Sequence, residues 1–216
     1  MCILNDHAGF VGDDGKTHHG VLSVPMMLSI PNLTILAPRD TQEIRQCVRA
    51  SLTLEGPCVI QYSKDGIAPY AAPLDDKPFE IGRWQRLRAG ESCAILAYGR
   101  MTKHAMLAAQ MLEQEGVDAE VIDCCSIKPM DMACLERLFA QKKRIIVIEE
   151  GEMIGGFGSE VARMCVEHGA AAPAAIMGIE NRFVAHGSVD QLLDECGLSV
   201  GQIAARIRSV VLESEK

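Results

Sequence analysis

The sequence predicts an α/β protein built on mostly parallel sheets, and two patterns lead to that prediction. Short apolar runs that resemble buried strands alternate with longer segments whose apolar residues recur at helical spacing. Strands alternating with helices in this way are typical of a parallel sheet covered on both faces. The chain has 216 residues, 48% hydrophobic and 23% charged, which is ordinary for a globular protein.

The first part of the chain, residues 1–68, contains a strand–helix–strand unit. Residues 35–37 form an apolar run that stops at a proline and is predicted to be a buried strand. Asp40 then opens a helix, and an acidic first turn suits the helix dipole. The helix has an apolar stripe made of Ile44, Cys47, Val48 and Leu52. A Gly-Pro pair ends it, and residues 58–62 are predicted to be the next strand.

Residues 69–91 are predicted to be a linker, because three prolines and several charges interrupt any periodicity. A short strand is expected near residues 79–82. Residues 92–216 repeat the α/β pattern more fully. The predicted strands there are 93–98, 119–123, 144–149 and 174–178, and the predicted helices are 102–115, 131–142, 156–168, 188–196 and 199–213.

Charge and cysteine content narrow the functional classes. The net charge is −8, so the basic excess that duplex binding requires is missing and nucleic acid is not expected as a partner. No apolar run is long enough for a transmembrane helix, and the N-terminus lacks signal-peptide features, so we expect no membrane contact and a cytoplasmic location.

The nine cysteines show no zinc-ligand spacing and are predicted to be reduced, mostly buried thiols.

The stretch from Asp6 to Gly20 is the richest in chemical groups. It contains three histidines, three aspartates and four glycines and follows a short apolar run, so it leaves the carboxyl end of a predicted strand. Ligands bind at that end in open α/β sheets, and histidine suits proton transfer near neutral pH. A solvated surface loop whose Asp-Gly pairs make turns explains the same composition equally well.

Two further segments are weaker candidates. The glycine-rich run 149–160 precedes a helix expected to begin near Ser159, so its amides could hold an anion. Its four carboxylates favour instead a turn for close helix–sheet packing. His186 is more often structural than catalytic, and Ser188 suits a helix cap. No serine lies in a G-x-S-x-G elbow, so nothing supports a hydrolase.

The run DHAGFVGDDGKTHHG at residues 6–20 resembles the D-R-A-G-x-V-G-x-D-G-x-T-H-x-G signature of the 1-deoxy-D-xylulose-5-phosphate synthase family. These enzymes are thiamine-diphosphate transferases of the transketolase superfamily. Further blocks that are similar to the family occur in its order at residues 29–38, 127–131, 149–159 and 183–188.

The resemblance implies an architecture. Residues 1–68 would be part of the central, pyrimidine-binding domain, 69–91 a linker, and 92–216 the C-terminal domain, a three-layer α/β/α unit. The family's diphosphate-binding domain, and the glutamate that activates the thiamine ring, would lie outside this sequence. The chain alone is therefore expected to be inactive.

The resemblance also implies site residues. His18 and Asp14 match the family's histidine and aspartate near the substrate, with His18 as an acid/base or hydrogen-bonding group. His7 and Lys64 occupy the positions of two arginines that hold the phosphate of glyceraldehyde 3-phosphate, and Gln61 replaces a neighbouring arginine. Lysine can bind phosphate as a point charge, whereas a neutral histidine is a poor substitute for arginine.

The cofactors implied for the complete enzyme are thiamine diphosphate and Mg²⁺, and this chain alone is expected to bind neither. The expected partners are small-molecule substrates and either a second copy, in a homodimer, or a companion chain with the N-terminal domains. Two alternatives remain open. One is a transketolase-like subunit with a different acceptor, and the other is a non-catalytic assembly subunit.

Overall fold

The computed structural model describes residues 1–64, 66–69, 79–141 and 143–212, which form two sheets with helices around them. The strands are β1 (Cys2–Asn5), β2 (Thr34–Leu36), β3 (Cys58–Gln61), β4 (Gln85–Arg88), β5 (Cys93–Ala97), β6 (Ala119–Asp123), β7 (Ser126–Lys128), β8 (Ile145–Glu152) and β9 (Ala175–Ile179). The helices are α1 (Ser23–Leu28), α2 (Thr41–Ser51), α3 (Arg100–Glu113), α4 (Met132–Ala140), α5 (Phe157–Glu167), α6 (Val189–Glu195) and α7 (Val200–Leu212).

The first sheet has the order β1-β3-β2-β7. Its first three strands are parallel, and α2 connects β2 to β3 as the predicted strand–helix–strand unit requires. The Asp40 carboxylate accepts hydrogen bonds from the amides of Gln42 and Glu43, so it caps α2 at the predicted position. The fourth strand, β7, is antiparallel to β2 and comes from the later part of the chain, so it ties the two parts together.

The second sheet has the order β4-β6-β5-β8-β9 and is parallel except for β4. Strand β5 shows how it is covered. Ile95 and Ala97 lie in a core shared with α3 and α7, whereas Ala94 and Leu96 lie in a core shared with α4 and α5. This alternation buries both faces, so the unit has three layers, and the predicted α/β fold with mostly parallel sheets is confirmed.

The five predicted helices of the second part all form, and their ends differ from the prediction by at most two residues. The strand expected near residues 79–82 is wrong. Phe79 and Glu80 are coil, and a turn follows at Ile81 and Gly82, where glycine has φ +81°. The strand forms instead at β4, inside the predicted linker, where the backbone reaches β6.

The nine cysteines are all free thiols, and six of them are buried. Within the part of the chain that the structure describes, no helix is long and apolar enough to cross a membrane.

A buried cluster of charges joins the two sheets. Arg39 follows β2 and is 1% exposed. Its guanidinium donates to the carboxylates of Glu43, at 3.1 Å, and Asp123, at 2.5 Å, and to the side-chain oxygen of Gln85 at 2.8 Å. Since Arg39 and Glu43 come from the first part of the chain while Gln85 and Asp123 come from the second, the cluster fixes one sheet against the other.

Candidate functional site

The candidate site is a loop, residues 6–20, that leaves the carboxyl end of β1 and returns to α1. The loop closes through a hydrogen bond of 2.8 Å from the Gly20 amide to the Gly9 carbonyl. A short 3-10 turn at Gly12–Asp14 continues into the bonds Gly15 N to Gly12 O, 3.3 Å, and His18 N to Gly15 O, 2.9 Å. These bonds fix the backbone that carries Asp14 and His18.

The base of this loop is fixed to the second part of the chain. The Phe10 ring is fully buried in the core that includes α3 and α7. The Phe10 amide and the Arg100 guanidinium both donate to the same oxygen of Glu150, each at 2.7 Å. Gly9 lies so close that a Cβ there would be 2.3 Å from the Glu150 carboxyl carbon, so only glycine fits.

Four of the five residues predicted for the site lie on or beside this loop. The Lys64 ammonium contacts the Asp14 carboxylate, and this contact is the main cause that lowers the pKa of Asp14 below its usual range. The His7 and His18 rings lie 6.1 Å apart, and Nδ1 of His7 is 2.7 Å from the Asp6 carboxylate. The group is open to solvent, so a small molecule can reach it.

Gln61, the fifth predicted residue, lies apart from that group. It is 2% exposed and lines a cavity of about 20 Å³ beneath the loop, together with Tyr98, Ser63 and Glu150. The Tyr98 hydroxyl in the same wall is buried and has no hydrogen-bond partner among the described residues. A group the size of a water molecule fits this space. Gln61 is therefore placed below the exposed cluster rather than within it.

A larger hollow of about 420 Å³ lies beside the exposed cluster. Its walls are residues 10–13 of the loop, Lys64, and residues 187–189, which lead into α6. Ser188 caps α6 as predicted, in a reciprocal pair with Gln191. The hollow is large enough for a small organic substrate, and both parts of the chain contribute to it.

The glycine-rich run 149–160 does not offer a free anion site. The helix there begins at Phe157, and Glu149 accepts hydrogen bonds of 2.9 Å from the amides of Phe157 and Gly158. The chain's own carboxylate thus occupies the position that an anion would take. Burial raises the pKa of Glu149 to about 8, and the two amide donors oppose that rise. A Cβ on Gly158 would lie 2.4 Å from Ile176, which supports the packing interpretation.

Three residues that sequence reasoning missed also shape the site: Arg100, Glu150 and His19. The sequence shows Glu150 as one of a pair of carboxylates, but no local pattern connects it with Phe10, 140 positions earlier. His19 is one of the three histidines of the loop, and the sequence alone gives it no role. Its ring bonds the Val11 amide and the Ala185 carbonyl.

Comparison with known proteins identifies both parts of the chain. The transketolase pyrimidine binding domain matches residues 1–68, and the transketolase C-terminal domain matches residues 82–203. The 1-deoxy-D-xylulose-5-phosphate synthase of Lysinibacillus sphaericus (strain C3-41) is 38% identical over 216 residues, which is 98% of this chain and 34% of that protein. The chain therefore spans about a third of the length of the curated relatives it matches. The predicted resemblance to a C-terminal portion of such a synthase is confirmed.

Solved structures agree with this assignment. One described as a split gene transketolase, inactive beta4 tetramer, superimposes with a TM-score of 0.85 at 31% identity, covering 97% of this chain and 66% of that chain. The transketolase of Campylobacter jejuni subsp. jejuni NCTC 11168 gives a TM-score of 0.73 at 20% identity over 96% of this chain and 31% of that one, a likeness of fold alone.

Proposed function

Because the chain belongs to the transketolase family, we propose that it forms the C-terminal portion of a thiamine-diphosphate-dependent synthase that condenses pyruvate with glyceraldehyde 3-phosphate. The observation that carries this proposal is the convergence of His7, Asp14, His18 and Lys64 at the carboxyl end of β1. That place and those groups suit the binding of a small hydroxy-carbonyl substrate.

His18 is the residue that we assign to proton transfer or hydrogen bonding at the substrate. Its Nδ1 lies 3.0 Å from the Thr17 hydroxyl, which orients the ring, and we assign Nε2 to the substrate's carbonyl or hydroxyl oxygen. Asp14 orients the substrate or the loop through its contact with Lys64. His7 and Lys64 are the proposed groups at the acceptor end, whereas Gln61 lies beneath them in the buried cavity.

Thiamine diphosphate would supply the carbanion chemistry of the complete enzyme. No group of three His, Cys, Asp or Glu side chains that could hold a metal ion occurs among the described residues. The described residues thus offer no such donor set for a metal-bound diphosphate, and we assign cofactor and Mg²⁺ to the part of the enzyme that the chain does not span. We therefore propose that the chain alone is inactive.

The partner proposal follows from the same division. We propose assembly as a homodimer or with a companion chain carrying the remaining domains. Exposed apolar side chains support it, with Ile3 and Leu4 on the outer strand β1 and Met26 on α1. The nine free cysteines support a cytoplasmic location.

A chimeric enzyme tests the proposed function. The matching C-terminal third of the Lysinibacillus sphaericus synthase is replaced by this chain, and condensation is assayed with pyruvate, glyceraldehyde 3-phosphate, thiamine diphosphate and Mg²⁺. We expect turnover by the chimera, none by the isolated chain, and a loss of about 10²-fold or more in His18→Ala. His168→Ala, at an exposed histidine at the end of α5, is the matched control. A folded but inactive chimera, or turnover by the chain alone, contradicts the proposal.

One observation favours a second candidate, a transketolase-like subunit whose acceptor is not phosphorylated. Lys64 already contacts Asp14 and also experiences the charges of Asp6 and Asp13, so three carboxylates act on this ammonium. Such surroundings disfavour a phosphate dianion. The chimera distinguishes the two candidates by kcat/KM for D-glyceraldehyde against glyceraldehyde 3-phosphate. A ratio in favour of the unphosphorylated aldehyde supports this second candidate.

A further inference from the structure

The imidazole of His19 has a defined hydrogen-bonding state, which its two backbone partners determine. Nδ1 lies 3.2 Å from the Val11 nitrogen, and an amide N–H can only donate, so Nδ1 must accept. Nε2 lies 2.9 Å from the Ala185 carbonyl oxygen, which can only accept, so Nε2 must carry the hydrogen. The ring therefore holds its place as the neutral Nε2–H tautomer.

Those two bonds connect distant parts of the molecule. Val11 lies in the loop at residues 6–20, whereas Ala185 lies in the connection between β9 and α6, 166 positions from His19. A weaker backbone bond of 3.5 Å runs alongside, from the Gly187 amide to the Gly12 carbonyl. The His19 ring also packs edge-on against the buried Phe10 ring, with a centroid distance of 5.1 Å.

The turn that carries Asp14 and His18 lies between the two anchors that the loop makes with the second part of the chain. Phe10 and Glu150 fix the first end of that turn, at a buried position. His19 fixes the other end, and it is half-buried. Without His19, the 3-10 turn and the residues after it would keep the Phe10 anchor but lose their side-chain link to residues 183–187.

We propose that His19 is a positioning residue. It holds the loop that carries Asp14 and His18 against the connection between β9 and α6, and thereby sets the width of the hollow between residues 10–13 and residues 187–189. The importance of His19 for catalysis rests on the proposed function, whereas its two hydrogen bonds to Val11 and Ala185 do not. The reacting groups remain those of the turn, and His19 acts through them.

Isotope-labelled full-length chain tests the tautomer directly. Long-range ¹H–¹⁵N correlation spectra distinguish the Nε2–H, Nδ1–H and doubly protonated imidazoles. The expected result for His19 at neutral pH is the Nε2–H pattern, with a protected ring proton. An Nδ1–H or rapidly exchanging ring would overturn the proposal, and this readout is independent of any catalytic activity.

Conservative variants test the link. An asparagine oxygen can take the place of Nδ1, so His19→Asn should retain the bond from Val11. A glutamine N–H can take the place of Nε2, so His19→Gln should retain the bond to Ala185. In His19→Ala, amide hydrogen exchange of residues 11–18 should accelerate about tenfold, the effect of losing hydrogen-bonding free energy of roughly 1.4 kcal/mol. Both conservative variants should restore part of that protection.

The control for these variants is His168→Ala, which removes an exposed histidine bonded within its own helix, and it should leave residues 11–18 unchanged. Unchanged exchange in His19→Ala, or equal acceleration in all three His19 variants, overturns the proposal. If His19→Ala does not fold, the asparagine and glutamine variants and the wild-type spectrum still decide it. An inactive chimera with the expected tautomer and exchange would contradict the proposed function while leaving the role of His19 intact.

Discussion

Two clusters in this molecule each combine carboxylates with one cationic side chain, but they have different roles. Around Arg39, three carboxylates meet one guanidinium where the two sheets join, and every member is nearly inaccessible to solvent. Beside the site loop, the Lys64 ammonium contacts the Asp14 carboxylate, where the two side chains are one-third to one-half exposed, and it also experiences the charges of Asp6 and Asp13. The two clusters contain similar chemical groups, but only the Arg39 cluster is buried.

Burial decides what each cluster does. In the Arg39 cluster, an unpaired charge would be costly because the groups are removed from water. The groups therefore hold one another in a fixed geometry and connect the two sheets rigidly. In the Lys64 cluster, water screens the contact, which contributes little to stability and leaves the groups able to exchange partners. Carboxylate–cation pairing thus gives a rigid connection between the sheets in one cluster and an adaptable site in the other.

The largest expected effect that distinguishes them is that of Arg39→Ala. Removing the guanidinium leaves the buried Asp123 carboxylate without its cation and the buried Glu43 carboxyl without its guanidinium donor, which should lower the free energy of unfolding by about 3–5 kcal/mol. Urea denaturation of the full chain measures it. Arg45→Ala, an exposed arginine on α2, is the control and should change stability by less than about 0.5 kcal/mol. Equal losses of unfolding free energy in both variants would contradict the role of the Arg39 cluster in connecting the two sheets.

A second effect concerns pH. Burial, together with the charge of Asp123, raises the pKa of Glu43 well above its usual range. A raised pKa in the folded state means that the contribution to stability is complete below the ordinary glutamate pKa and is lost as pH rises through the raised value. The melting temperature should therefore fall as the pH rises from the ordinary glutamate value of about 4.3 towards the raised value.

In Glu43→Gln, the fall in stability should be shallower by up to about 1.4 kcal/mol per pH unit, the slope for one proton. Thermal unfolding across that range measures the change. The exposed Glu55→Gln should keep the wild-type slope. A steeper slope in Glu43→Gln would contradict the assignment of this proton.

Lys64→Ala should have the smallest effect on stability, with no measurable change in melting temperature, because the pair is exposed. Its effect is local. The pKa of Asp14, which the Lys64 ammonium lowers, should return towards the usual range for aspartate, and carboxyl ¹³C titration measures this. Lys16→Ala, in the loop that carries Asp14, is the control. A drop in melting temperature comparable to that of Arg39→Ala would remove the contrast between the clusters.

The sequence predicted the elements that local physics dictates. The helix after Asp40 begins where its cap lies, and β5, buried on both faces, shows the continuous apolar run that a covered parallel strand requires. Sequence-based prediction failed for elements that depend on distant parts of the chain or are too short to show a period. Strand β4 reads QRLR and has no apolar run, because it is an edge strand that exists through its pairing with β6. Helix α1 has six residues, too few for a helical period to be visible.

For the site, the sequence by itself determined the chemical groups and their order: the histidines and aspartates of residues 6–20, the glycines that the turn needs, and the family signature they form. The tertiary structure alone decided their partners. Phe10 with Glu150, His19 with Ala185 and Lys64 with Asp14 are separated by 140, 166 and 50 positions. Periodicity and capping act over a few residues, whereas such contacts depend on how two sheets pack, and no short segment of the sequence contains that information.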